Sequence, residues 1–423
     1  MYKVYLKQAW QMLKEDKVIS IITILGTALA ITMVMAIILT QRIKTTNMGP
    51  EVNRERTMYI QYVKEETKKQ QYVSIGSVSI NSYKQYLEQL TVPEKISMIS
   101  ERQINICTEG SDIYHTADIK YTDAAFWSIY SFSFISGKPF TNEEFQSGVP
   151  VAVISKSLSN KLYNEESDAT GKIVLIDKKP YKVIGIVKDV STLCKYAYSQ
   201  IWIPYTSNSF SNTVQSNIYK AVVLAKNTSD FPEIKSEVRR SEIANNPERE
   251  DKEVSFIGPF SGDEILVKTG NMNNDDPDMA KNRLRYYLTL AVLLLIPAIN
   301  LSGFSLFKII NRTSEIGIRK AFGANKKTIL MQVLYENFLT SLIGGIIGLA
   351  LSFLAINFIK DKLFTQGPWS PQLIGENTIP VSAFISPGVF LYVFLVCVLL
   401  NLLSSGIPAW RASRLNIVEA IRS

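Results

Sequence analysis

The chain has 423 residues, long enough for two or three domains, and carries 46 lysines and arginines against 38 aspartates and glutamates, a net charge of +8. The positives are scattered and form no basic block interleaved with aromatics, which argues against nucleic acid as a partner. One histidine and three cysteines leave no material for a histidine-based metal site, a Ser-His relay or a disulfide framework, so no catalytic residue and no metal ligand is expected.

Residues 2–14 set Leu6, Ala9, Trp10 and Leu13 on one side of a predicted helix, away from Lys3, Lys7 and Lys14. That pattern suits a cytoplasmic helix over 1–17 lying in the membrane interface. Val18 to Thr40 carries no charge, and about 20 mostly apolar residues suffice to cross the hydrocarbon, so 18–41 is read as the first transmembrane helix. Its apolar stretch is too long for a signal-peptide core, and no small-x-small site follows before Gln41 and Arg42; it is expected to stay as an anchor.

Residues 42–284 are too polar to be membrane and form the large outer domain. Strands are expected at 57–63, 96–106, 151–155, 219–225 and 253–257, with helices at 80–90, 156–163 and 231–243. β-Branched residues alternate over 172–177 and 181–187, which reads as a hairpin turning at Lys178-Lys179-Pro180. Strands and helices interleave without a strict parallel rhythm, so the domain is expected to be α+β. His115 reads as a surface residue of a polar loop. Cys107 and Cys194 read as free thiols, with a disulfide as the alternative if the domain faces an oxidising compartment. The polar stretch 271–278 reads as a hinge; a cation site on Asp275, Asp276 and Asp278 is the weaker reading.

Residues 285–423 return to the membrane. The second span covers about 286–307, with Pro297 either a hinge or a passive kink. The third runs from about 329 to 359, uncharged from Asn337 onward, and the fourth over about 389–407. A charge at the centre of such a segment costs about 3 kcal/mol, so four clean gaps point to four transmembrane α-helices. Gly344, Gly348 and Ser352 recur at intervals of four along the third span. Small residues let helices approach closely, either at the seam of a homodimer or within one subunit.

Between spans two and three, residues 313–323 form a short predicted helix. Thr313 can cap it, Glu315 and Arg319 lie four apart on one face, Ile318, Ala321 and Phe322 form an apolar stripe, and Gly323 suits a left-handed ending. By its residues alone, it either docks against another protein or lies on the lipid surface. The lysines and arginines of the N-terminal segment, the 308–327 connection and the tail place all three in the cytoplasm. Arg42, Lys44, Lys281, Arg283 and Arg285 run against this orientation, but the rule is weak for long translocated loops.

The stretch RTSEIGIRKAFGANKKTILMQVLYENFLTSLIGGIIGLALSF at 312–353 resembles the permease signature of MacB-type and FtsX-type ABC transporter subunits. The tail PAWRASRLNIVEAIR at 408–422 resembles the same family's ending, with Ile417 where a proline usually stands. Segments 121–141, 151–163 and 171–190 resemble the MacB-type periplasmic core domain, and 6–26 resembles the family's opening. The resemblance implies a bacterial inner-membrane permease with four transmembrane helices and a periplasmic domain. It also implies an ABC ATPase subunit in trans, on which a coupling helix docks through Glu315, Gly317, Ile318, Arg319, Lys320, Phe322 and Gly323. It further implies pairing of two permeases, contact with membrane lipid, and transmission of movement across the membrane for export of a peptide, drug or lipoprotein. A periplasmic adaptor and an outer-membrane channel are open as further partners. The alternative is an FtsX-like scaffold controlling a cell-wall hydrolase, although its outer domain would usually be much smaller. No G-x-x-x-x-G-K-[ST] loop occurs, so ATP is expected on the partner and no cofactor in this chain.

Overall fold

The computed structural model describes residues 2–15, 17–67, 72–163, 168–207, 219–248, 252–268, 277–311, 313–323, 325–365 and 387–413. Two helices open the chain, α1 at Tyr2–Glu15 and α2 at Lys17–Thr45. Three strands follow, β1 at Thr57–Ile60, β2 at Tyr62–Thr67 and β3 at Tyr72–Ser77, then α3 at Ile80–Ser82, which widens into a π turn over Tyr83–Leu87. Next come β4 (Lys95–Thr108), β5 (His115–Thr122), α4 (Phe126–Ile129), β6 (Phe134–Gly137), α5 (Asn142–Gln146), β7 (Val151–Ser155) and α6 (Lys156–Tyr163). They lead into β8 (Ile173–Ile176), β9 (Lys179–Val187), β10 (Ile201–Pro204), β11 (Lys220–Leu224), α7 (Phe231–Asn245), β12 (Lys252–Ile257), β13 (Phe260–Ser261) and α8 (Gly262–Lys268). Four helices complete the fold: α9 (Met279–Asn311), α10 (Thr313–Ala321), α11 (Lys326–Thr365) and α12 (Pro387–Ser413). The chain divides into two compact units, one of residues 43–279 with 364–380, the other of 1–42, 280–363 and 381–423.

The outer unit is α+β. Its main sheet has ten strands in the order β13-β1-β11-β4-β5-β10-β7-β9-β6, and β8 pairs with both β4 and β9. The pairing therefore closes on itself, β4-β5-β10-β7-β9-β8 and back to β4, as a six-stranded ring. The 14-residue β4 makes this possible: its first residues pair with β11 in the open part of the sheet, and Ile106, Cys107 and Thr108 pair with β8. Pairing is mostly antiparallel, but β5 with β10 and β7 with β9 run parallel. Ile106, Ala117, Ile119, Ile154, Val174, Val183, Ile201 and Ile203 are buried in the domain's main core cluster. All five residues of β7 and all four of β10 are buried, which explains why VAVIS reads as a continuous apolar run rather than an alternating one. A second sheet, β12-β2-β3, is antiparallel; α7 packs against β12 and the π turn.

Three local expectations are corrected. The stretch 57–63 is two strands: β1 pairs with β11 and β13, β2 with β3 and β12, and the break falls at Gln61. The hairpin turns at Asp177 and Lys178, both at positive φ (48° and 65°), so Lys179 and Pro180 stand in β9 opposite Ile176 and Leu175. A two-residue turn with both centres left-handed matches the twist of the flanking strands, and here an aspartate and a lysine accept the strain that Asn-Gly usually avoids. His115 begins β5 opposite Ile106 rather than lying in a loop. The strands at 72–77, 115–122, 134–137 and 201–204 had no expectation. The hinge expected at 271–278 lies almost wholly outside the described residues, as do Asp275, Asp276 and the tail from 414.

In the other unit α11 packs against α2 and α12. A Cβ on Gly344 would stand 2.8 Å from Thr27 Cβ and one on Gly348 2.7 Å from the Ala28 carbonyl oxygen, while Gly345 faces the Phe394 ring on α12. Thr32 Oγ1 donates to the Gly348 carbonyl across the same seam, at 3.1 Å. Gly344 and Gly348 thus make their close approach to α2 of the same chain. Ser352 is fully buried and its hydroxyl donates to the Leu349 carbonyl. Among the described residues two stretches are long and apolar enough to cross a membrane, Lys17–Thr40 and Lys326–Ala355, and a shorter apolar one spans Gly388–Leu400. The 33-residue α9 contains the uncharged stretch 286–307 and runs past Pro297 without a break in the helix.

Candidate functional site

α10 is a nine-residue helix joined to the helix before it through Arg312 and to the helix after it through a tight turn. Thr313 is its first residue rather than a cap outside it, and the hydroxyl donates back to the Ile310 carbonyl at 2.7 Å. At the other end the Phe322 amide donates to the Ile318 carbonyl and the Gly323 amide to that of Lys320, both at 3.0 Å. Gly323 takes φ +89°, the left-handed conformation in which a side chain is strained; this reverses the chain towards α11.

The helix is pinned to α11 on one side. Ile316 and Ile329 are buried against each other, with Val333 beside them, and Gly317 is buried. Arg319 donates from a terminal guanidinium nitrogen to Gln332 Oε1 at 2.8 Å, and Gln332 is itself buried. On the other side the apolar residues are bare: Ile318 is 52 % and Phe322 88 % exposed, and Ala321 is exposed too. The expected stripe of Ile318, Ala321 and Phe322 thus faces away from the side that packs. Lys320 is half-buried, and burial with the nearby Lys326 charge lowers the pKa of its amine. Glu315 stands in the first turn, and its side chain lies outside the described residues. Sequence reasoning missed Ile316, Ile329 and Gln332; the signal available was the reversal at Gly323, which folds α10 back along α11 and brings positions 13 apart together.

Chemically this is a surface. It offers an apolar knob with cationic neighbours on a helix whose other side packs on α11. Among the described residues no cluster of three or more histidine, cysteine, aspartate or glutamate side chains exists that could hold a metal.

Residues 20–241 match the MacB-like periplasmic core domain, just over half of the chain, and residues 287–417 match the FtsX-like permease C-terminal domain. The chain belongs to the MacB-like permease family. MacB-like relatives include the macrolide export ATP-binding/permease protein MacB of Escherichia coli strain K12, 24 % identical over 437 residues, covering 98 % of this chain and 60 % of that one. The same protein of Shigella flexneri is equally similar. This chain thus spans about 60 % of the length of those curated relatives. Among solved structures, the periplasmic region of MacB from Actinobacillus actinomycetemcomitans aligns with TM-score 0.37 and 15 % identity, over 52 % of this chain and 95 % of that one. The extracellular domain of the ABC-type transporter YknZ from Gram-positive bacteria aligns with TM-score 0.36 and 16 % identity, over 48 % and 100 %. Membership in this family makes the protein an inner-membrane permease chain with an outer α+β domain.

Proposed function

We propose that this chain is the membrane subunit of an ABC transporter that carries movement from an ATPase on a separate polypeptide to its outer domain. In this reading α2, α9, α11 and α12 are four transmembrane helices, both termini and α10 are cytoplasmic, and two permeases pair with one ATPase under each α10. Closure of the ATPases on ATP moves the spans and re-poses the outer domain, which drives export of a peptide, drug or lipoprotein. No pore through the chain is required, and the nucleotide stays on the partner.

The exposed face of α10 carries the reading. Phe322, 88 % exposed at the end of α10, joins the exposed Ile318 and Ala321 in an apolar patch of the kind that marks a protein or membrane interaction site. Backing by Ile316, Ile329 and the Arg319–Gln332 bond means that force on Phe322 passes to α11 instead of bending a loop. The test uses the full chain in nanodiscs with its P-loop ATPase. Phe322→Ala is expected to weaken ATPase association at least about tenfold, the range of an aromatic anchor, and to leave the thermal midpoint of the chain alone unchanged. Arg319→Ala is expected to keep association and to lose the nucleotide-dependent change in the outer domain. Wild-type association and response in both variants would remove α10 as the docking element.

A further inference from the structure

α2 ends at Thr45, and the stretch that follows it enters the outer unit through a set of buried charges. Glu51 and Arg54 are 2 % and 6 % exposed and form an ion pair of 2.5 Å, Nε to Oε2. Their other polar atoms go to main chain. Glu51 Oε1 accepts from the amides of Tyr196 and Ala197, both at 2.8 Å. One terminal nitrogen of Arg54 donates to the Thr46 carbonyl at 3.1 Å and the other to the Leu193 carbonyl. From the opposite side Lys120 on β5, with no exposed surface, donates to the Tyr196 carbonyl at 2.9 Å and the Lys195 carbonyl at 3.4 Å. Trp202 Nε1 on β10 donates to the Ala197 carbonyl at 3.0 Å, and the Tyr196 ring stacks on Tyr59 of β1 with centroids 3.7 Å apart.

The turn 193–197 is therefore gripped from both sides by three buried charged side chains. A structural ion pair would serve stability no better than an apolar pair of the same volume, because removing two charges from water offsets their attraction. These charges supply direction instead: five charge-assisted bonds tie the main chain of 193–197 to the stretch after α2 and to β5, and the neutral Trp202 bond adds β10.

We propose that Glu51, Arg54 and Lys120 are positioning residues that lock the turn 193–197 between the stretch 46–54 and β5, so that displacement of that stretch is delivered to the ring of strands. The proposal rests on the reading of the chain as a transmitter of movement. Its first test stands without that reading. In the full chain in nanodiscs, Glu51→Gln is expected to speed hydrogen exchange at the amides of Tyr196 and Ala197 about 10- to 100-fold, the range for losing a bond to a charged group, and to leave β7 unchanged. Unchanged protection at those two amides overturns the lock.

The second test separates positioning from stability. Glu51→Gln with Arg54→Met removes both charges but keeps the volume, and its thermal midpoint is expected within a few degrees of wild type. With the ATPase bound, wild type is expected to show a nucleotide-dependent exchange change in β5, β7 and β9, and the double variant to lose it at undiminished ATP turnover. A wild-type response in the double variant overturns the positioning role. Absence of any response in wild type sinks the transmission reading, and the positioning role with it, while the lock itself still stands or falls on the amides of Tyr196 and Ala197.

Discussion

Cys107 and Cys194 are both free and buried, which settles in favour of thiols the pair that the sequence left open. Cys194 sits behind the Glu51–Arg54 pair with its Sγ 3.5 Å from the Gly49 carbonyl oxygen. Burial, with the Glu51 charge adding to it, pushes its thiol up to about 12, so almost no thiolate exists at neutral pH. A maleimide added to the folded chain is expected to leave Cys107 and Cys194 unlabelled, and to label both once the outer domain is unfolded in urea. Rapid labelling of Cys194 without denaturant would show that the turn 193–197 opens freely. Little of this was legible beforehand, because a cysteine count says nothing about which polar groups a fold will stack around a thiol.

Helix contacts in the membrane-facing unit show how an element-scale pattern is read only halfway from sequence. The four-residue spacing of Gly344, Gly348 and Ser352 gives the face of close approach, since only a missing Cβ admits another backbone that near. It cannot give the neighbour, because α2 of the same chain and a helix of a second copy would demand the same notch. The folded chain puts Thr27, Ala28 and Ile31 of α2 in that notch. Gly348→Val places a carbon 2.7 Å from a main-chain oxygen that cannot step aside, and is expected to cost about 1–3 kcal/mol, seen as a lower thermal midpoint of the detergent-solubilised chain. Gly303→Ala on α9, with nothing within 4 Å of the new methyl group, is the control and is expected to be neutral or slightly stabilising. Equal losses from both would contradict the α2–α11 seam. The same limit acts in the outer domain. Central strands β7 and β11 declare themselves by composition, whereas the break at Gln61 and the strand at His115 depend on which distant strand completes the ladder.

At the scale of the whole molecule, two carboxyl groups pull the stability of the outer domain in opposite directions with pH. Burial pushes Asp123 up to about 6, despite bonds donated by the Met98 amide, the Ser97 hydroxyl and the Phe126 amide. Its folded value lies above the unfolded one near 3.9, so its contribution is complete below about pH 4 and is lost as pH rises through 6, on the order of 3 kcal/mol in all. Glu101 behaves in reverse. Burial alone would raise it, but Lys120 and Lys220 hold it at about 2, so its contribution is present above the usual glutamate value and lost as pH falls towards 2. Glu101 is half-exposed and solvent screens it, so Asp123 dominates between pH 4 and 7. The thermal midpoint of the outer domain is expected to rise as pH drops from 7 to 4.5, and Asp123→Asn is expected to flatten that rise. A midpoint that falls over this range would mean that the Asp123 carboxylate is better solvated than its burial implies.

β4 belongs to two structures at once, since the backbone that completes the ring through Ile106, Cys107 and Thr108 is continuous with the backbone that pairs with β11. No hinge can be placed between those parts without breaking a ladder in mid-strand. Any bend between the open part of the sheet and the ring must therefore be taken up along β4 itself, as a bow rather than a fold.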